Sequence, residues 1–508
     1  MSLSGTQHQR AEFDSRSSAL LSEQSSPPVA GESAIPTVFQ LDRLYLFSFA
    51  WAVASLLHCL SFGERLNLQH PFCLGLVVAA SLVIMFPQSV WLFLAMICFS
   101  MCNTLDWMPS VPNHILFEFV ANIGILSVLG WTLIRQYSQG LGTAALAAPA
   151  TRAAMFDLFA PFVRVSLIIM YFYSVLHKLN TDYFNPDISC STILLRGITN
   201  RLPSLTNSAF MGWAAIWGTL VFEALIPICL CFRRTRWAGI LLGVSFHSLL
   251  SLHLGQGIYS FSGLLFALYL LFVPVQFPTT VQLYAQRLLG NSAQRLAFAL
   301  RALVCLGVLG LIVSGRSAHA LFLIGLALLL IWGLIHITTY LLVFRNPANE
   351  PERSADLFRI RPAVFWLIPA LIFFNGMNPY LGLKTSTSFA MFSNLRTEGG
   401  ISNHLLIKKP LYLTNLQNDL VDIKETNLDK LKVPITNQQL ITYFEFRSII
   451  SKAKTNFYAT YVRNGTLQTV RVVNGVSNQP ELIKPYPWLV AKFVRLRLVD
   501  KGPCTCKH

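Results

Sequence analysis

Of the 508 residues, 54% are hydrophobic and only 12% are charged, with a formal net charge of +16 and a mean hydropathy of +0.52. A water-soluble domain carries about twice that charge fraction, so a polytopic membrane protein is expected. Lysines and arginines flanking membrane spans account for the positive excess, and no nucleic-acid partner is expected.

Residues 1–36 are rich in Ser, Gln, Glu and Pro and lack the basic start and long apolar centre of a cleavable signal. They read as a disordered cytoplasmic tail. Eleven apolar runs follow, at 44–62, 72–86, 90–105, 114–134, 162–178, 210–232, 237–254, 258–273, 296–314, 321–344 and 362–376. Several are shorter than the roughly 20 residues of a perpendicular span. The expected fold is therefore an all-α polytopic membrane helical bundle of about 8–11 spans, followed by a small β-rich domain. "RRTR", Arg233 to Arg236, fills a very short loop and marks the cytoplasmic side. Counting spans from it places Arg43, Arg135, Arg152, Arg287, Arg295, Arg345, Arg353, Arg359 and Arg361 on that side as well. The N-terminus is then cytoplasmic, and residues 384–508 are extracytoplasmic or lumenal. In that last part "FYATYVRNGTLQTVRVV" alternates like two strands about an Asn464-Gly465 turn. Asn464-Gly465-Thr466 also fits a glycosylation sequon, though the turn explains the asparagine better.

Polar residues inside spans are costly and mark a cavity or a partner. Lys178 closes an apolar run and shares a helical face with Tyr171 and Ser174, while His177 points about 100° away. Two readings stay open: a lysine snorkelling to the headgroups, or a dehydrated amine usable as a base. His114, Glu118 and Asn122 recur at i, i+4 and i+8 on a span running inward, which sets His114 at the same end as Lys178. That stripe is either interhelical glue or, at His114, part of a site. His247 lies within an outward span, and His253, Gln256, Gly257 and Tyr259 crowd its outer edge. Glu223, mid-span before Pro227, is expected to pair with a histidine or with Arg301, with a proton relay as the alternative. Cys504-x-Cys506 is too close for an easy mutual disulfide; a solvated tail or a metal or redox role is left. No Walker loop, GxSxG, paired CxxC or HExxH occurs, so no nucleotide-driven pump, serine hydrolase or zinc protease is expected.

In order and spacing, "NHILFEF", "YFYSVLHKLNTDYF", "RRTRWAGILLGVSFH" and "GIYSFSGLLFALYLLFVP" resemble the vitamin K-dependent γ-carboxylase-like membrane domain, the horizontally transferred transmembrane (HTTM) domain. "SFAMFSNLRTEGG" is similar to a segment of bacterial members. The resemblance implies an HTTM core over 37–280, with additional transmembrane helices over 281–383. It also implies a carboxylase or epoxidase type of chemistry with reduced vitamin K or a related quinol as cofactor and O2 and CO2 as co-substrates. Matching "LHKLNTDYF" to the family's Lys-Lys-Leu motif makes Lys178 the base and puts His177 in place of the first lysine. His247 falls on the family's Phe-His position. Lys178, His114 and His247 are thus the expected catalytic residues, and Tyr171, Ser174 and Tyr259 the expected quinol contacts. The implied partners are the lipid bilayer, a lipid-soluble quinone and an extracytoplasmic protein or peptide substrate. The family's carboxylase has a much larger lumenal portion than residues 384–508 provide. The competing reading is a non-catalytic binding or assembly protein using the HTTM core as scaffold.

Overall fold

The computed structural model describes residues 41–199, 202–255, 257–346 and 352–506; the expected tail over 1–36 and Gln256 lie outside them. The helices are α1 (Arg43–Ser61), α2 (Pro71–Met85), α3 (Val90–Trp107), α4 (Asn113–Ser138), α5 (Pro149–Lys178), α6 (Cys190–Thr199) and α7 (Ala209–Cys231). They continue with α8 (Arg236–Leu250), α9 (Ile258–Tyr269), α10 (Phe277–Leu289), α11 (Ala293–Val313), α12 (Ala318–Phe344) and α13 (Leu367–Leu381). Among the described residues eight helices are long and apolar enough to span, or nine when the pair broken after Phe272 and bent by 105° counts as one. The 72–86 run makes only the 15-residue α2, and the amphipathic α6 was not foreseen.

Starts of the helices are written locally. Asp42 caps α1 by accepting from Tyr45 N, and Ser89, Ser208 and Ser317 do the same for α3, α7 and α12. Outer helices carry large apolar side chains that face away from the protein, such as Leu300, Leu303 and Leu306 on α11. Lipid solvates that surface, while the helical backbone satisfies its own polar groups.

Charges gather at one end of the bundle. Arg43 pairs with Asp157 and Glu352, Arg152 with Asp42, and Arg236 donates to the Glu352 carbonyl. This agrees with the common side read from the arginine-bearing loops. Arg301 donates to the Tyr45 hydroxyl and the Ile84 carbonyl instead of meeting Glu223. α11 packs on α2, whereas α7 packs on α5 and α8, so the two residues stand in different parts of the bundle.

At the other end lies a six-stranded antiparallel sheet. Its strands are β1 (Leu420–Thr426), β2 (Gln439–Thr442), β3 (Phe457–Arg463), β4 (Thr466–Val473), β5 (Val476–Ser477) and β6 (Val499–Asp500), in the order β5-β4-β3-β1-β2-β6. β3 and β4 are the expected hairpin, paired from Phe457↔Val472 to Arg463↔Thr466, with Asn464 and Gly465 at φ 51° and 77°. A second Asn-Gly pair, Asn474-Gly475, turns β4 into β5 in the same way. Phe457, Ala459, Tyr461, Val470 and Val472 fill the face turned to helices Asp429–Thr436 and Tyr443–Ser451.

The C-terminal Cys-x-Cys is not a solvated pair. Cys506 forms a disulfide with Cys190 at the start of α6, 316 residues away, and Cys504 is buried with its thiol against the Leu395 carbonyl. Spacing within the tail could not show this, because the partner comes from another part of the chain. Cys506→Ser is expected to cost about 2–4 kcal/mol, seen as a lower midpoint of thermal unfolding in detergent. A reducing agent should bring the parent down to the same midpoint and leave the variant unmoved.

Candidate functional site

α5 carries no charge from Val165 to Leu176, and towards its end the 3.6-residue repeat sets Tyr171, Ser174 and Lys178 on one side and His177 on another. His177 turns to α13, with Nε2 3.2 Å from the Gly376 carbonyl and its ring against Tyr173 and Tyr380. Lys178 turns to α7. Its Nζ donates to Glu223 Oε2 at 2.7 Å, to Ser174 Oγ at 3.0 Å and to the Ser174 carbonyl at 3.2 Å. Ser174 Oγ donates in turn to the same carboxylate oxygen at 2.8 Å. The residue is 2% exposed, so the amine points into the protein and not to the headgroups. The partner of Glu223 is thus the lysine, in place of the expected histidine or Arg301. Glu223 lies 14 residues into α7, about 21 Å along its axis, and the end of α5 is sunk to meet it.

Beside this triad, the Tyr171 hydroxyl lies 2.9 Å from His247 Nε2 and 2.6 Å from the Tyr269 hydroxyl. Gly243 makes room for that arrangement: a Cβ there would sit 2.4 Å from the Tyr269 oxygen. His247 Nδ1 is buried with no hydrogen-bond partner within the protein, an orphaned polar atom of the kind that marks a missing ligand or water.

Ser174, Lys178, Glu223 and His247 line one small cavity of about 40 Å³. Ser191 and Leu194 of α6, Thr219, Leu250, Ile258 and Phe261 complete its walls, and Met391 and Phe392 close it. Those last two belong to "SFAMFSNLRTEGG", the segment that follows the final span. Asn180 and Asn394 tie this roof down: Asn180 Nδ2 donates to the Ser393 carbonyl, and Asn394 Oδ1 accepts from Cys190 N.

The structure does not bring all six expected site residues together. Lys178, Ser174, Tyr171 and His247 adjoin one another. His114 sits in a separate cluster, with Nε2 3.0 Å from Ser260 Oγ, which also meets His58 Nδ1 at 3.1 Å. Phe261 stands between the two groups, its ring against both His114 and His247. Tyr259 faces the other way from Phe261, against Phe322 and Gly325. Glu118 accepts from Ser100 on α3, so the i, i+4 stripe of α4 reaches two different neighbours.

Sequence comparison bears on this cavity directly, because the HTTM domain model matches residues 125–277. The chain carries an HTTM domain. This is the domain found in vitamin K-dependent γ-carboxylase-like proteins. The HTTM match covers under a third of the chain and starts within α4, well after residue 37; it includes Lys178, Glu223, His247 and Tyr269 and leaves out His114 and the roof. No curated protein and no solved structure matches the chain. Tyr269, Met391 and Phe392 are site residues that sequence reasoning missed, and Glu223 was singled out but not joined to Lys178. For Glu223 a signal existed: it and Lys178 are opposite charges on consecutive long spans, and such charges tend to pair inside a membrane.

Proposed function

We propose that this protein is a quinol-dependent membrane enzyme of the carboxylase or epoxidase type, with its site in the Lys178 cavity. The observation that carries the reading is the joining of an amine, a carboxylate and an imidazole with an orphaned nitrogen around one apolar-walled space, the imidazole backed by the phenols of Tyr171 and Tyr269. Such a donor set suits an aromatic diol in its chemistry, with Leu194, Leu250, Ile258 and Phe261 for the ring and Ser174, Lys178 and His247 for the hydroxyls; at about 40 Å³ the cavity admits the ring only when its walls move apart. A bound quinol would supply reducing equivalents and an ionisable O–H, with O2 and CO2 as co-substrates. Lys178 Nζ is the nitrogen placed to take the hydroxyl proton, with Glu223 and Ser174 as the partners that hold it in position. Ser174 holds both partners in line, Tyr171 and Tyr269 orient His247, and the Met391–Phe392 roof excludes water. The end of the bundle bearing this roof is read as extracytoplasmic, since the Cys190–Cys506 disulfide suits an oxidising compartment and the arginine-rich end suits the cytoplasm.

A ligand that binds only the folded protein stabilises it by about 2.7 kcal/mol at a hundred times its Kd. Reduced vitamin K or a related quinol is therefore expected to raise the midpoint of thermal unfolding of purified protein, while a saturated diol of equal chain length leaves it unmoved. The ion pair also favours a second reading, in which Lys178 and Glu223 lock α5 to α7 in a non-catalytic scaffold. On that reading neither compound shifts the midpoint.

A further inference from the structure

Residues 401–413, "ISNHLLIKKPLYL", expose Leu406 and Leu411 at 72% and 66%, and Leu405 and Leu413 also stand out. In water such a cluster on a loop is unfavourable, by about 25 cal/mol per Å² of apolar surface. Its conformation is nevertheless fixed by the protein. His404 is buried, and its Nδ1 accepts from Leu406 N and Ile407 N, both at 3.0 Å. The ring proton is therefore on Nε2, which donates to the Leu176 carbonyl at 2.9 Å. Leu405 N donates to the Leu179 carbonyl and Leu413 N to the Leu381 carbonyl, so the loop caps the ends of α5 and α13. The leucines are thus held outward by design of the backbone. Below them α13 turns Leu367, Leu371 and Phe374 outward at i, i+4 and i+7, a lipid-facing stripe that leads up to the loop. Lys408 and Lys409 are exposed between the leucines.

A second segment repeats the pattern at the same end. Trp488 and Leu489 are 60% and 64% exposed, next to Lys492, whose Nζ donates to the Leu105 carbonyl near the end of α3. Phe493 packs on the Met108–Ile115 cluster at the start of α4. Tryptophan, leucine and lysine at the ends of spans are the side chains that settle in a bilayer's headgroup layer.

We propose that the C-terminal domain is itself a membrane-interface module, with the 401–413 loop sunk into the headgroup and upper acyl layer of the adjoining leaflet. The occupant of this surface is phospholipid: acyl chains on the leucines, headgroup phosphates on Lys408 and Lys409. A soluble protein partner would cover the leucines but would not continue the lipid-facing stripe of α13.

The test uses full-length protein in vesicles of phosphatidylcholine and phosphatidylglycerol, with a dansyl side chain introduced at Leu406, at Leu411 or, as an exposed control on the sheet domain, at Lys430. Dansyl at 406 and 411 is expected to emit at shorter wavelength than at 430. A lipid carrying a nitroxide near its headgroup should quench most of that emission, and aqueous iodide little of it; the control should show the reverse. Both loop positions behaving like 430 would overturn the proposal. Raising the phosphatidylglycerol fraction should deepen lipid quenching in the parent loop and not in Lys408→Gln/Lys409→Gln. An equal response would remove the headgroup role of the lysines.

Discussion

Lys178→Met is expected to abolish quinol oxidation, with a loss of at least 10²-fold. The structure adds a condition that the sequence does not contain. Removing the amine alone strands the buried Glu223 carboxylate, and breaking a buried pair from one side costs about 3–5 kcal/mol. The informative variant is therefore Lys178→Met/Glu223→Gln, which removes the base and the stranded charge together and should keep a thermal midpoint near that of the parent. Lys178→Arg keeps the charge and the pairing with Glu223, but a guanidinium cannot accept the proton. Under the catalytic reading it is as inactive as the double variant. Turnover is compared at matched expression after activity of the parent has been established. Full turnover in Lys178→Arg would exclude the lysine as base and leave the scaffold reading standing, because a pure ion pair tolerates arginine.

Arg497→Leu is expected to destabilise the C-terminal domain by about 3–5 kcal/mol, comparable to the whole margin of many folded domains. Arg497 is paired with Glu398 in a nearly closed interior, with side-chain exposures of 9% and 3%. The guanidinium donates to Glu398 Oε1 through Nη2 at 3.2 Å and to the Leu395 carbonyl at 2.6 Å, while Thr397 N donates to Glu398 Oε2. Burial alone would push the Glu398 carboxyl up, but the Arg497 charge and the hydrogen bonds from Thr385 and Thr397 outweigh it and hold the carboxyl below its ordinary value. The stabilisation is therefore fully present above the unfolded carboxylate value of 4.5 and is lost as pH falls below it through the folded value. In the parent the midpoint of thermal unfolding should drop with acid over that window. In Glu398→Gln/Arg497→Leu, which lacks both charges, that part of the acid slope should vanish. An unchanged slope would mean that the pair does not couple folding to protons. Because Thr385, Leu395 and Glu398 bracket Met391 and Phe392, this pair also holds the cavity roof, and Arg497→Leu should weaken stabilisation by quinol more than it weakens the helical bundle.

Composition alone was enough to establish a polytopic membrane protein, since no soluble fold tolerates so little charge beside so much apolar surface. The arginine-bearing loops predicted a common end, and Arg43, Arg152 and Arg236 do gather at one end, because loop charge is a property of each loop and needs no partner to be read. Asn464-Gly465 named its hairpin for the same reason: positive φ at two successive residues is a local demand. The helical repeat likewise separated Lys178 from His177, and the structure turns them to α7 and α13 respectively. What only the tertiary structure decided are relations between distant segments. Lys178 and Glu223 are 45 residues apart, Cys190 and Cys506 are 316 apart, and the roof over the cavity comes from beyond the last span. Tyr259 is a further instance, adjacent in sequence to the site yet turned away from it, because the rotation of a short helix is fixed by the neighbours it packs against and not by its own residues. Periodicity gives each helix its faces; which face meets which neighbour, and at what depth, is set by the packing of the whole bundle against lipid and the C-terminal domain.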